Sequence, residues 1–202
     1  MTDGLGWAVS DPADPVRLPS KSAIFQARDR LGAEPLKRLF ARVARPLATE
    51  VTPGSWLAGR RFVVIDGTTL VVADTVVNDE FFGRPGVSKG ERSAFPQVAL
   101  AECGTHAIFD AEIGPCATSE LGLAKLLVDQ LEPGMMLLAD RGFTGFALWQ
   151  HAAATGADLL WRAKNNVTPR QTRVLADGSC LGEMRLAKTR RNTEHVVVRV
   201  ID

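Results

Sequence analysis

The 202-residue chain contains no tyrosine, and aromatic residues make up 6% of it. Cysteine is scarce too. Cys103, Cys116 and Cys180 are an odd set with no C-x-x-C spacing, which excludes a disulfide framework and a structural zinc site and points to reduced, partly buried thiols. Long hydrophobic runs are missing: stretches such as Met135 to Ala139 fall far short of the roughly 20 residues that cross a bilayer. The amino terminus has no basic residue before Arg17 but carries Asp3, Asp11 and Asp14, so neither a signal peptide nor a transit peptide fits, and a cytoplasmic location is expected. What is present is ordinary for a soluble globular protein. A hydrophobic content of 46% with a mean hydropathy of +0.01 suffices for one core and an appended piece.

The net charge of +1 hides an uneven distribution. Arg17 to Arg61 holds ten basic against three acidic residues, and Leu160 to Val200 nine against three. Between them, Phe62 to Leu159 holds five against thirteen. Basic flanks around an acidic centre suit a protein that grips a polyanion at its edges and holds a cation in the middle. Solvated helix faces would leave the same pattern.

Residues 1 to 19 are rich in proline, glycine and aspartate without periodicity and are expected to be a flexible segment. Ser20 or Ser22 is placed to cap a helix from Ala23 to Leu31, closed by Gly32. A second helix is predicted over Glu34 to Ala48, with Leu36, Leu39, Phe40 and Val43 on one side and Lys37, Arg38, Arg42 and Arg45 on the other. This pair is either a DNA-contacting unit or a helical platform. From Arg61 the pattern changes to strands, at Arg61 to Asp66, Leu70 to Ala73, Gln97 to Cys103 and Ala107 to Ile113. The glycine- and proline-bearing stretch from Asn78 to Ala94 reads as an irregular, mobile loop. A helix capped by Thr118 or Ser119 and running through Leu131, a strand at Met135 to Ala139, a helix at Thr144 to Thr155 and a strand at Asp158 to Lys164 then imply an α/β fold: a mixed sheet with helices on its faces. Beyond Pro169 come short strands with an Asp177-Gly178 turn, the basic run Lys188, Arg190, Arg191, and a valine-rich strand at Val196 to Val200. That last strand reads as cut rather than finished.

Asp66 and Asp140 carry the chemistry. Each follows a short apolar run, Phe62-Val63-Val64-Ile65 and Met135-Met136-Leu137-Leu138-Ala139, which reads as a buried strand ending in a turn with its aspartate at the sheet's rim. Two such carboxylates on neighbouring strands make a hard oxygen site suited to magnesium. Taken singly, each aspartate is equally a cap or turn former. A haloacid dehalogenase-like phosphatase is excluded, because its nucleophilic aspartate would stand where this chain has Val64. Asp74, Glu102, Asp110 and Glu112 read as surface or turn acids, His106 as a turn histidine, and Trp149 and Trp161 as core. Arg141, Arg162 and Lys164 are candidate phosphate contacts.

The segments Val63-Val64-Ile65-Asp66-Gly67-Thr68 and Leu137-Leu138-Ala139-Asp140-Arg141-Gly142-Phe143 resemble the first and second catalytic-aspartate motifs of the DDE transposases of insertion sequence family four. Phe95-Pro96-Gln97, Glu102-Cys103-Gly104-Thr105-His106, Ile113-Gly114-Pro115, Leu159-Leu160-Trp161-Arg162-Ala163-Lys164 and Ser22-Ala23-Ile24-Phe25-Gln26-Ala27-Arg28 resemble that family in the same order. The resemblance implies a ribonuclease H-like core over about residues 59–168, after the helical segment at 20–58, which is either DNA-contacting or a platform, and before the start of an inserted β-rich region at 169–202. It implies Asp66 and Asp140 as catalytic and metal-holding residues. Arg38, Arg42, Arg141, Arg162 and Lys164 would contact DNA, and magnesium or manganese would be the cofactor. The implied partners are DNA at the ends of an insertion element and either a homo-oligomer or a mixed assembly with an intact transposase. In that family a third acid stands in a Y-x-x-R-x-x-x-E motif, which a chain without tyrosine lacks. The expectation is therefore a transposase fragment inactive or impaired on its own, or a non-catalytic DNA-binding or inhibitory one.

Overall fold

The computed structural model describes residues 19–85, 92–185 and 195–201. The described residues up to Val43 form one compact unit and those from Ala44 onward another. The expected flexible amino-terminal segment falls almost wholly outside the described residues, as does the basic run Lys188, Arg190 and Arg191.

The first unit is a pair of helices. Ser20 Oγ accepts from the Ala23 N–H and opens α1 (Lys21–Leu31), and the Gly32 N–H donates to the Arg28 carbonyl to close it. α2 (Glu34–Val43) is strongly amphipathic, yet neither helix buries a residue within its unit. α2 stops five residues short of the expected Ala48. Pro46 explains the difference, because its ring disfavours helical backbone at the residue before it and it has no N–H to give.

The second unit is built on a mixed sheet in the order β4-β3-β2-β5-β6, with β1 (Trp56–Leu57) paired to the start of β2 (Arg60–Val71). Ala58 and Gly59 both have positive φ, 49° and 75°, the backbone of a tight two-residue hairpin turn. β2 runs antiparallel to β3 (Ala94–Glu102), which runs antiparallel to β4 (Ile108–Ile113). On its other side β2 pairs parallel with β5 (Met135–Ala139), and β5 pairs parallel with β6 (Asp158–Trp161).

The strands alternate buried and less buried residues, so the sheet is covered on one face. That face carries Val63, Ile65, Val98, Leu100, Leu137 and Ala139. Against it pack Leu123, Ala124 and Leu127 of α4 (Glu120–Leu127) and Leu148 and Ala152 of α5 (Phe146–Ala154). Burial of each of these larger aliphatic side chains contributes about 1.5–3 kcal/mol before chain entropy is counted. The opposite face carries Val64, Leu138 and Leu160 and is far less covered, Leu160 being 51% exposed.

Several expected boundaries move. The turn after Asp66 is absent: β2 continues through Val71 because β3 supplies partners as far as Val71↔Ala94, so the two expected strands are one. The expected loop at Asn78 contains α3 (Val76–Phe82), which Thr75 caps by accepting from the Asn78 N–H and Gly83 terminates. The helix after Ser119 ends at Leu127 and tightens into a 3₁₀ turn over Val128–Gln130. β6 ends at Trp161 rather than Lys164. A second, three-stranded antiparallel sheet follows, in the order β7 (Arg170–Val174), β8 (Cys180–Arg185), β9 (His195–Val200).

Candidate active site

Ile65 of β2 is the register partner of Ala139 of β5, the last residue of that strand. The next residue on each is an aspartate, so Asp66, still within β2, and Asp140, just past the end of β5, stand side by side on parallel neighbours whose usual spacing is about 4.8 Å. β2 continues past this point while β5 does not, which opens a gap beside Asp66. Asp66 lies on the same face as Val64, two residues before it, and so on the less covered side of the sheet.

The loop that carries Asp140 is held locally. Its Oδ1 accepts from the Gly142 N–H at 2.7 Å and caps a 3₁₀ turn over Arg141–Phe143, while Phe143 is buried in the core. Asp66 Oδ1 accepts from the Gly67 N–H at 2.9 Å. Each carboxylate keeps unused acceptor positions and both residues are exposed. Arg162 is brought alongside by the backbone: its N–H donates to the Ala139 carbonyl at 3.0 Å, and its own carbonyl accepts from Thr144 Oγ1 at 3.2 Å. Asp66, Asp140 and Arg162 line one cleft of about 560 Å³, floored by Val64, Leu138 and Leu160.

The other basic candidates are distributed differently. Arg141 is exposed in the turn next to Asp140, and Lys164 is exposed beyond the end of β6 without lining the cleft. Arg38 and Arg42 lie on α2 in the first unit, where Arg38 Nε donates to Glu34 Oε1 at 3.3 Å. Among the described residues no group of three or more histidine, cysteine or acidic side chains is placed to hold a metal ion. No helix among them is long and apolar enough to cross a membrane.

Glu102 corrects the expectation of a surface or turn acid, because it is fully buried. Its Oε2 accepts from the N–H groups of Leu47 and Ala48, at 3.1 and 2.7 Å, and from Thr105 Oγ1 at 2.6 Å. Its Oε1 accepts from Arg61 Nη1, which also donates to the Ala48 carbonyl. The Arg61 guanidinium lies 4.6 Å from the centre of the Trp56 ring. Burial by itself would raise the Glu102 carboxyl, but hydrogen bonds from Thr105, Ala48, Arg61 and Leu47 outweigh it and hold the group below its ordinary value. This cluster fastens the segment that enters the sheet to the ends of β2 and β3. The three cysteines are free and half-buried, as their number and spacing imply. His106 stands in a turn at φ 58°. Trp161 packs on the core and Trp149 packs on Trp161, their ring centres 4.8 Å apart.

A mixed five-stranded order with a central strand and its parallel neighbour each delivering an aspartate to one edge is the ribonuclease H-like arrangement. The transposase DDE domain family matches residues 57–200 and the insertion element 4 transposase N-terminal family matches residues 2–41; the chain belongs to the DDE transposases of the insertion element 4 type. It is similar to transposase InsG for insertion sequence element IS4 of Escherichia coli K12, with 32% identity over 143 residues, 69% of this chain and 32% of InsG. It is also similar to the putative transposase InsZ of the same organism, with 29% identity over 131 residues, 63% of this chain and 44% of InsZ. The matched stretch thus spans less than half the length of these relatives. A solved piggyBac transposase synaptic complex with hairpin DNA aligns over 83% of this chain and 38% of that one at 14% identity and a TM-score of 0.43, too low to add to the assignment.

Proposed function

We propose that this chain carries the two-aspartate, DNA-gripping part of a transposase that cleaves and joins DNA at the ends of an insertion element, with Asp66 and Asp140 as its catalytic carboxylates. The observation that carries the reading is the register: Ile65 faces Ala139, and an aspartate follows each on the open side of the sheet. The site's donors are hard carboxylate oxygens with free acceptor positions, and magnesium is commonly held by one or two carboxylates together with waters and substrate phosphates. Asp66 and Asp140 therefore fit magnesium or manganese as its protein ligands. Such an ion, when bound, supplies Lewis-acid stabilisation of the charge that develops on a phosphodiester under attack. Arg162 at the rim of the same cleft would hold a phosphate by charge, and Arg141 lies next to Asp140. Arg38 and Arg42 on α2, with Lys164, would add sequence-independent grip on the DNA backbone.

Among the described residues the site has two acids rather than three. No group of three acidic side chains gathers among the described residues, and the chain has no tyrosine with which to build the family's third motif. We therefore expect this chain alone to bind DNA and a divalent cation but to cleave little or not at all. The same observation favours a second reading, a non-catalytic DNA-binding or inhibitory role through occupied element ends or mixed assembly with an intact transposase. A nicking assay on supercoiled DNA with magnesium tests this. The expected result is no cleavage above that of Asp66→Ala. Cleavage by the unaltered chain that disappears in Asp66→Ala would show that the two aspartates suffice.

A further inference from the structure

The first unit presents apolar surface that its own helices leave uncovered. Leu36, Leu39, Phe40 and Val43 recur at three- and four-residue spacing along one side of α2, and each is between 38 and 58% exposed. Ile24 and Leu31 of α1, seven residues apart and so on one side of that helix, are similarly exposed. A groove of about 360 Å³ between the helices is lined by Phe25, Leu31 and Leu36. Helices of ten and eleven residues are marginal in water by themselves, so this pair draws its order from whatever covers the stripe. At roughly 200 Å² for a fully exposed side chain of this size, the six stripe residues offer about 600 Å² of apolar surface. A standard interface takes about 800 Å² from each partner, roughly 60% of it apolar, so the stripe supplies what a stable dimer needs.

We propose that α2 pairs with α2 of a second copy of this chain, stripe against stripe about a two-fold axis, with α1 flanking the seam. A two-fold interface sets one patch against itself, and a helix with apolar residues at this spacing is self-complementary when two of them run antiparallel. Antiparallel packing also brings each helix N-terminus beside the other's C-terminus, which the helix dipoles favour. Nucleic acid does not fit the stripe, because the stripe carries no charge. The cations of α2 stand off it, with Arg38 and Arg42 on the reverse side, so paired copies turn two basic faces outward. The pairing does not depend on the DNA reading of this chain, but its use does: two outward basic faces suit the two ends of an element.

The test is sedimentation equilibrium of the whole chain, without DNA, over a range of concentrations. The mass is expected to rise from 21.8 kDa to twice that value as concentration increases. Leu39→Asp and Val43→Asp each place a charge in the seam and should raise the dissociation constant at least about ten-fold. Neither side chain is buried within its own copy, so both variants should fold, which circular dichroism checks. Val77→Asp, at an exposed apolar position of α3 in the second unit, should leave the association unchanged. As a second readout, the helix signal of the unaltered chain should melt at higher temperature as concentration rises. A chain that stays at 21.8 kDa at every concentration, with a melt independent of concentration, overturns the pairing and leaves the DNA reading standing. A dimer that persists in both folded variants, or that Val77→Asp dissociates instead, puts the contact elsewhere and overturns it too.

Discussion

Arg61 and Glu102, 41 positions apart in the sequence, are joined by an ion pair in which the glutamate is wholly buried and the arginine is 20% exposed. Glu102 also takes the N–H groups of Leu47 and Ala48, so one carboxylate ties the entry segment to two strands. Removing Arg61 strands a buried charge. Arg61→Ala is expected to cost roughly 3 kcal/mol, the low end of the range for breaking a buried pair because three other donors remain. Urea melting checks this, and a loss below about 0.5 kcal/mol would show that the pair is dispensable.

The same carboxylate sets an acid limit. Its folded-state value is lowered from the ordinary 4.5, so its contribution to stability is present above that pH and is lost as pH falls through the lowered folded value. Glu102→Gln should weaken the chain at neutral pH and flatten the fall in stability on acidification. A melting series across acid pH reads both, and an acid arm as steep as in the unaltered chain would contradict the assignment.

Gly104 stands where β3 leaves the Glu102 cluster. A methyl group there would come within 2.5 Å of the Pro53 carbonyl and 2.8 Å of the Ser55 N–H, both backbone atoms, and Ser55 is fully buried. Gly104→Ala should therefore destabilise by about 1–3 kcal/mol through overpacking. Thermal melting measures the loss.

Charge on the candidate DNA surface should show in salt dependence rather than in fold. Arg162→Ala and Lys164→Ala, both at exposed positions, are expected to leave the melting temperature nearly unchanged. Each should lower the slope of log affinity against log salt by about 0.9, the share of one neutralised phosphate. An unchanged slope in either would remove that residue from the DNA surface.

The sequence disclosed the parts of the fold that local patterns determine. Met135 to Ala139 is a strand between stated bounds, Ser119 caps its helix, and the aspartates sit where two runs of apolar residues end. What was not legible depended on distant partners. Asp66-Gly67 carries the local mark of a turn, but β3 continues to pair with β2 for five residues past Asp66, and that pairing overrides it. α3 was hidden by the glycines and proline that follow it, although Thr75 and Gly83 bracket it. Glu102 looked like a surface acid because its donors, Arg61, Leu47 and Ala48, come from far upstream. The cavity that Trp149 and Trp161 share with Met184, Val198 and Val200 depends on β8 and β9 folding back, which no spacing within β6 or α5 signals.

Asp66 and Asp140 acting as one site is open to manganese titration of the purified chain, followed by calorimetry or by the loss of free-ion resonance signal. Binding is expected to be saturable and to weaken at least about ten-fold, 1.4 kcal/mol, in Asp66→Asn and again in Asp140→Asn, with melting temperature little changed. Manganese affinity equal to that of the unaltered chain in the folded double variant would contradict it.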